Sequence, residues 1–366
     1  MFCEEFMSDS FIYNGLPTRV IFGSGIIDQV AAEAEYLGIT KALVISTPHQ
    51  VGLAEKVAKL LGDKSADVFA GAAMHTPVDV TEKALSICEA LAVDGLVSVG
   101  GGSTTGLGKA LAYRKDYPQL VLPTSYAGSE MTNILGQTKQ GLKTTVRDAS
   151  IQPETVLYDV DLTLTMPALF SGTSGINAIA HAVEALYAVD GNPIISLIAE
   201  EGIRSLYKAL PILAKHSTDL EARKEALYGA WLCGICLGSV GVAIHHKLCH
   251  ALGGAFDLPH AKTHTVVLPH ALAYNAPAVP DAMKRLCRAM DTDNPVAALF
   301  DLARVIGAPH SLEALGMPED GIDKAVEITF KNPYWNPKEL DREAIKSTIH
   351  SAWKGIRPEL QDVVDE

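Results

Sequence analysis

Residues 95–111 decide the fold, and they read GLVSVGGGSTTGLGKAL. Residues 95–99 are a short apolar run of the kind that forms a buried strand, and three glycines stop it. Residues 107–111 then have the composition of a helix. A strand, a glycine-rich turn and a helix in this order suit a bound pyrophosphate, because the glycines admit its oxygens and the helix N-terminus supplies N–H groups. A tight turn without a ligand is the alternative.

Three more runs in the first part of the chain have the same strand-like character. They are residues 19–22, 42–45 and 120–122, and each stops at Gly, Ser or Pro. Residues 79–92, between two of these runs, have the spacing of an amphipathic helix. Strands that alternate with helices predict a parallel sheet. We therefore expect residues 1–162 to form an α/β domain with a Rossmann-like sheet that binds a dinucleotide.

The second part of the chain loses the strand signal and reads as helical. Residues 162–167 predict the hinge, since Pro167 is acceptable near the start of a helix. We therefore expect residues 163–366 to form an all-α domain. Helical spacing is clearest in residues 177–187, 194–214, 220–244 and 295–306, and residues 332–337 predict a loop before the last helix.

Composition narrows the classes of function. The 366 residues carry a formal net charge of -13, which argues against nucleic acid and anionic membranes as partners. The start of the sequence lacks the basic segment and apolar core of a signal peptide. Six cysteines in so long a chain do not indicate a disulfide framework. We expect a protein of the reducing cytoplasm, with Cys233 and Cys236 packed in a buried helix rather than serving a redox or zinc site.

A second polar turn strengthens the prediction of a nucleotide site. Residues 123–130 also follow a strand, so their hydroxyl groups would meet the glycine turn at one edge of a parallel sheet. The strand at residues 42–45 ends without the acid that usually binds the ribose 2′-hydroxyl. NADPH is therefore expected to be accepted as well as NADH. The residues expected to contact the cofactor are Thr47, Gly100, Gly101, Gly102, Ser103, Thr124, Ser125 and Ser129.

Histidines concentrate in the predicted helical domain. Asn177 and His181 stand four residues apart, His246 and His250 repeat that spacing, and His260 follows. Spacing of four places two side chains on one face of a helix and can build a divalent metal site. Each histidine alone could instead be a core residue, as we expect for His264 and His270. An amide stands where a metal site usually has a carboxylate, so we favour a site without metal, although three histidines could hold zinc.

With these motifs in view, the chain resembles the iron-containing alcohol dehydrogenase superfamily over nearly its whole length. That superfamily, which includes glycerol dehydrogenase and dehydroquinate synthase, follows the GGGS turn with an acid and then a lysine. Here Gly106 stands at the acid position, while Lys109 is kept. The superfamily's metal ligands, an Asp and three His, fall on Asn177, His181, His246 and His260, so the Asp is lost. By the same resemblance Lys143 lies near the nicotinamide ribose.

This departure is similar to one branch of the superfamily, the maleylacetate reductases. The likeness is carried by residues 11–23, 126–132, 245–254 and 258–261. It implies that NADH or NADPH reduces the C=C bond of maleylacetate, or of a substituted form, to give 3-oxoadipate in bacterial degradation of aromatic compounds. It also implies a homodimer and no metal requirement. The alternatives are a metal-dependent alcohol or polyol dehydrogenase of the same fold, and a nucleotide-binding protein without catalysis.

The residues are compatible with reduction of a conjugated C=C bond. The reaction needs a polarised carbonyl and a proton donor, but no metal-stabilised alkoxide. The substrate is a dianion, for which Lys247, the histidines and Asn177 are candidate donors, although Lys247 could be a solvated helix residue. We expect His246 or His250 to be the general acid. The catalytic candidates are His246, His250, His181, Asn177, Lys247 and His260.

Overall fold

The computed structural model describes residues 10–360, apart from the side chain of Lys143. The chain forms two compact units. The α/β unit comprises Leu16–Pro167 and His216–Leu227. The helical unit comprises Ala168–Lys215 together with residues 10–15 and 228–360. An α/β unit followed by a mostly helical unit confirms the predicted fold class.

A six-stranded parallel sheet forms the centre of the α/β unit. Its strand order is β1-β8-β5-β4-β2-β3, and the remaining two strands, β6 and β7, form a separate antiparallel hairpin. The strands are β1 (Arg19–Gly23), β2 (Ala42–Ile45), β3 (Ser65–Phe69), β4 (Gly95–Gly100), β5 (Gln119–Pro123), β6 (Ile134–Lys139), β7 (Leu142–Arg147) and β8 (Thr155–Asp159).

Apolar side chains alternate between the two faces of this sheet, and helices cover both. Val44 and Val97 pack in one core with the first two helices, while Leu43 and Leu96 pack in a second core with the next two. Because successive residues of a strand point to opposite faces, strands this apolar must be covered on both sides. The helices are α1 (Val30–Tyr36), α2 (Val51–Leu61), α3 (Val78–Leu91) and α4 (Gly102–Lys115).

One apolar cluster of the helical unit joins α8, α9, α12 and α13. The helices of this unit are α5 (Ala168–Ala185), α6 (Pro193–Lys215), α7 (Leu220–Ser239), α8 (Ile244–Phe256), α9 (His260–Asn275), α10 (Pro280–Met290), α11 (Pro295–Val305), α12 (Gly321–Lys331) and α13 (Arg342–Lys354). Cys233 and Cys236 are fully buried on α7, and burial raises the pKa of both thiols. This is the expected packed environment.

The helical run predicted at residues 220–244 is broken in the structure. It forms α7 and α8, which are bent by 93° at the break. Within residues 10–360 no single helix is long and apolar enough to cross a membrane, although this bent pair passes the same test by length and composition together.

The residue ranges of the two compact units differ from a single division at residue 162. One segment of the α/β unit ends at Pro167, and residues 216–227, which include the buried Arg223, also belong to this unit. The Arg223 guanidinium donates to the Met166 carbonyl at 2.7 Å and to the Tyr126 hydroxyl at 3.3 Å. Residues 10–15 belong to the helical unit, where Asn192 Nδ2 donates to the Ile12 carbonyl at 3.4 Å.

Candidate active site

The polar turns predicted to bind a nucleotide lie side by side in the α/β unit. They follow β2, β4 and β5, which are neighbours in the sheet. The Thr124 N–H donates to the Gly100 carbonyl at 3.0 Å, which joins the turns after β4 and β5. Gln50 Nε2 donates to Thr124 Oγ1 at 2.7 Å and so ties in the turn after β2. In open α/β sheets, ligands bind at the carboxyl ends of the strands, where these turns are.

The turn after β4 requires glycine at two positions. Gly100 has a φ of +155°, and a Cβ there would lie 2.4 Å from Thr104 Oγ1. A Cβ on Gly101 would lie 2.8 Å from Ser125 Oγ. Helix α4 begins at Gly102, so backbone N–H groups of its first turn lie beside the glycines. The turn therefore has the form that a phosphate needs, with an accessible backbone at a helix N-terminus.

The loop after β5 is held by the buried Lys109 of α4. Its ammonium donates to Thr132 Oγ1 at 2.7 Å and to the carbonyls of Ser129 and Ile134. Burial lowers the pKa of Lys109 to about 7, against the opposing effect of Glu130. Lys109 therefore fixes the loop that carries Ser125 and Ser129. Lys143 lies on β7 of the adjoining hairpin, but its side chain is outside the described part of the structure.

The packing around Gly106 explains why this position holds a glycine. A Cβ at this position would lie 2.5 Å from Thr76 Oγ1. The side chain of Thr76 therefore lies where an acid at position 106 would begin. The loss of the superfamily's acid is thus accompanied by a neighbour that closes off the space.

Three helices of the helical unit bring the predicted catalytic residues together. Asn177 and His181 are on α5, His246 and His250 are on α8, and His260 begins α9. The rings of His181 and His246 stack with centroids 5.1 Å apart, and the ring of His250 lies 6.1 Å from that of His246. His260 is connected to the same group through His264, which lies 4.2 Å from His260 and 4.9 Å from His246.

Sequence reasoning missed the carboxylate at the centre of this group. Glu184 on α5 is fully buried, and its Oε2 lies 2.6 Å from His246 Nδ1. It also accepts hydrogen bonds from the backbone N–H groups of Ala243 and His245 at 2.8 and 2.7 Å. Burial alone would raise the pKa of Glu184, but His246 and these hydrogen bonds hold it below its ordinary value. A signal was present, because Glu184 follows His181 by three residues on a predicted helix.

Three of the clustered histidines, His181, His245 and His264, are buried and have lowered pKa values. Burial and the neighbouring histidines hold the pKa of His181 and of His264 well below the ordinary value. Burial also lowers the pKa of His245 to about 3. His246 Nε2 and Asn177 Oδ1 are buried atoms without a hydrogen-bond partner among the described residues. Each of these two unsatisfied polar atoms can form a hydrogen bond with a polar ligand group.

A further pair of contacts lies one turn along α8. The Lys247 ammonium lies 5.3 Å from the centre of the Tyr334 ring, and the Tyr334 hydroxyl lies 3.0 Å from His250 Nδ1. Lys247 is only 8% exposed, so the alternative of a solvated helix residue is wrong. Tyr334 comes from the predicted loop at residues 332–337, and no sequence motif pointed to it.

The donors present do not fit iron. Fe(II) sites in proteins typically combine histidines with a carboxylate, whereas the corresponding set here is an amide and three histidines. Glu184, which is nearby, is already bonded to three donors. Ring nitrogens of His245, His246 and His264 do lie within 4.8 Å of one another, and a set of histidine donors is chemically closer to a zinc site.

Comparisons with known proteins agree with the sequence and the geometry. A family model described as iron-containing alcohol dehydrogenase matches residues 17–160, and one for the C-terminal part of the same family matches residues 171–353. The maleylacetate reductase of Sphingobium indicum is 53% identical over 348 residues, which is 95% of this chain and 99% of that protein. The maleylacetate reductase of a Rhizobium species is 52% identical, again over 95% of this chain and 99% of that protein.

Solved structures show the same likeness. The crystal structure of maleylacetate reductase from Agrobacterium tumefaciens superposes with a TM-score of 0.93 at 51% identity, covering 96% of this chain and 100% of that chain. A 1,3-propanediol oxidoreductase is 24% identical with a TM-score of 0.89, over 93% of this chain and 100% of that chain, and shares the fold.

Proposed function

Because this chain belongs to the iron-containing alcohol dehydrogenase family, we propose that it is an oxidoreductase that reduces the C=C bond of maleylacetate to give 3-oxoadipate. The near-full-length similarity to proteins named maleylacetate reductase carries the proposal. The amide of Asn177, at the position of the family's carboxylate, supports it, because reduction of a conjugated C=C bond does not require a metal-stabilised alkoxide. The physiological setting we propose is bacterial degradation of aromatic compounds.

The hydride donor is NADH or NADPH, bound at the edge of the sheet. The turns after β4 and β5 would hold its phosphates, with α4 supplying backbone N–H groups. Support for the use of both cofactors comes from the turn after β2. Residues 46–50 contain no acid, so nothing in that turn repels the 2′-phosphate of NADPH.

His246 is the proton donor in this proposal. The hydride adds to the carbon β to the ketone, negative charge moves to the ketone oxygen, and the α carbon then takes a proton. Glu184 stabilises a protonated His246 through Nδ1, which leaves Nε2 to give the proton. The buried amide of Asn177 supplies a neutral donor for the ketone oxygen.

The reaction proceeds without a metal in this proposal. The support is the donor set, which lacks the carboxylate that iron favours. Metal independence is tested by treating the protein with a chelator, analysing it for metals and assaying maleylacetate reduction. Retained activity in protein without stoichiometric metal is expected, whereas activity that depends on returned Fe²⁺ or Zn²⁺ would favour the alcohol dehydrogenase alternative.

We further propose a homodimer in the bacterial cytoplasm. The resemblance implies the dimer, and exposed apolar side chains of the helical unit, among them Ile12, Val189 and Leu197, supply surface that association would cover. The five cysteines of the described residues are all free, as a reducing compartment requires. Light scattering on the purified protein tests the dimer, and a monomer at micromolar concentration would refute it.

A further inference from the structure

Lys247 is a nearly buried cation without a paired anion. It lies in the first turn of α8, is 8% exposed, and forms no ion pair with a carboxylate among residues 10–360. Removing an ammonium group from water is costly unless a partner compensates for the lost hydration. Buried charges are normally paired, so this position is favourable for an anion that binds from outside.

The Tyr334 side chain joins Lys247 to His250. Its ring faces the Lys247 ammonium at 5.3 Å, within the range of a cation–π interaction. Its hydroxyl lies 3.0 Å from His250 Nδ1. Burial raises the pKa of Tyr334, so the phenol keeps its proton and can donate it to Nδ1. When Nδ1 accepts from the Tyr334 hydroxyl, the ring proton is on His250 Nε2.

The loop that carries Tyr334 is fixed to the rest of the helical unit. Asn336 and Asn275 exchange two amide hydrogen bonds of 2.7 and 2.9 Å. Asn336 Oδ1 also accepts from the backbone N–H of Ile244, the first residue of α8, at 3.4 Å. Tyr334 is therefore held in place relative to the helix that presents Lys247 and His250.

We propose that Lys247, His250 and Tyr334 form a carboxylate-binding subsite, in which Tyr334 determines the preference for dicarboxylate ligands. The inference rests on the proposed function, because it identifies where one carboxylate of that dianion binds. Lys247 supplies the charge, and His250 Nε2–H supplies a directed hydrogen bond. Tyr334 keeps the ammonium in position and fixes the tautomer of His250.

Direct binding tests the subsite without any turnover. Adipate is a stable dianion with the six-carbon chain of maleylacetate, and adipamide is its uncharged counterpart. We would titrate the full chain with each by calorimetry at constant ionic strength. Adipate is expected to bind more tightly, and Lys247→Met to weaken adipate binding at least about tenfold. Tyr334→Leu should weaken it about tenfold, and Tyr334→Phe, which keeps the ring, about threefold.

Controls separate this role from folding and from the reductase proposal. Trp335→Leu alters the neighbouring, largely exposed aromatic residue and should leave adipate binding unchanged. If the Tyr334 ring acts through Lys247 and its hydroxyl through His250, adding Tyr334→Leu to Lys247→Met should weaken adipate binding by no more than the roughly threefold effect of Tyr334→Phe. Equal adipate binding by folded wild type, Lys247→Met and Tyr334→Phe would overturn the subsite. Absence of maleylacetate turnover would instead overturn the proposed function, whatever the adipate titrations show.

Discussion

Glu184 Oε2 lies 2.6 Å from His246 Nδ1, and both groups are buried. The same carboxylate accepts the backbone N–H groups of Ala243 and His245, at the start of α8. One side chain therefore fixes both the helix that carries His246 and the nitrogen through which the imidazole is held. With Nδ1 committed to Glu184, Nε2 is the atom available for proton transfer.

Glu184→Gln should lower kcat with maleylacetate about 100-fold, because an amide of similar shape cannot stabilise a protonated His246. The variant should also lose about 1–3 kcal/mol of unfolding free energy, since the amide cannot accept from all three donors. Steady-state kinetics and urea unfolding measure the two effects. Glu201→Gln, at an exposed ion pair with Arg204, is the matched control and should change neither quantity appreciably. Unchanged kcat in Glu184→Gln would exclude this role.

Replacement of the two candidate proton donors should affect different kinetic constants. His246→Asn should lower kcat by about 10²–10⁴-fold, as expected when a general acid is removed. His250→Asn should mainly raise KM for maleylacetate, because His250 is assigned to a carboxylate. Measuring kcat and KM of the two variants under identical conditions distinguishes the proton donor from the binding residue. The reverse pattern would make His250 the donor and His246 a binding residue.

Gly100→Ala should weaken cofactor binding. The φ of +155° and the 2.4 Å approach to Thr104 leave no room for a methyl group, so the turn must shift. KM for NADH should rise at least about tenfold. Gly52→Ala is the control, because a Cβ at that position of α2 meets no atom within 4 Å. A Gly100→Ala variant with the wild-type KM for NADH would show that this turn does not bind the cofactor.

The free energy of unfolding should decrease as the pH is lowered from neutral, partly because of His270. Burial holds its pKa at about 4, below the ordinary 6.5. Between these values the unfolded chain binds a proton that the folded chain does not, so stability decreases as the pH falls. At pH 5 this amounts to about 2 kcal/mol relative to pH 7.5. Urea unfolding of His270→Leu should show a pH-dependent loss smaller by that amount, whereas the exposed-site variant His216→Gln should behave as wild type.

Much of the α/β unit could be predicted, because an apolar run that ends at Gly, Ser or Pro is a local signal of a strand. Strands β1, β2, β4 and β5 lie within a residue or two of the predicted runs. Strands β3, β6, β7 and β8 were missed. β3 lies at one edge of the sheet and includes the exposed Asp67, so its sequence lacks a continuous apolar run. β8 depends on its partners β1 and β5, which are distant in sequence.

The break between α7 and α8 could not be predicted, because distant side chains stabilise it. The Gly241 N–H donates to Asp190 Oδ1 at 2.8 Å, and the Ala243 N–H donates to Glu184. The pairing of Asn177 with His181 and of His246 with His250 could be predicted, since spacing of four on a helix is a local property, whereas the approach of α5, α8 and α9 to one another could not. Tyr334 depends on how a loop docks on α8, and residue spacing carries no information about that.

NADH oxidation with maleylacetate should be measured first, with protein that has been treated with EDTA and analysed for metals. Rapid oxidation is expected, with one 3-oxoadipate formed per NADH and no stoichiometric iron or zinc. Absence of oxidation, with activity on simple alcohols appearing once Fe²⁺ or Zn²⁺ is returned, would contradict this expectation.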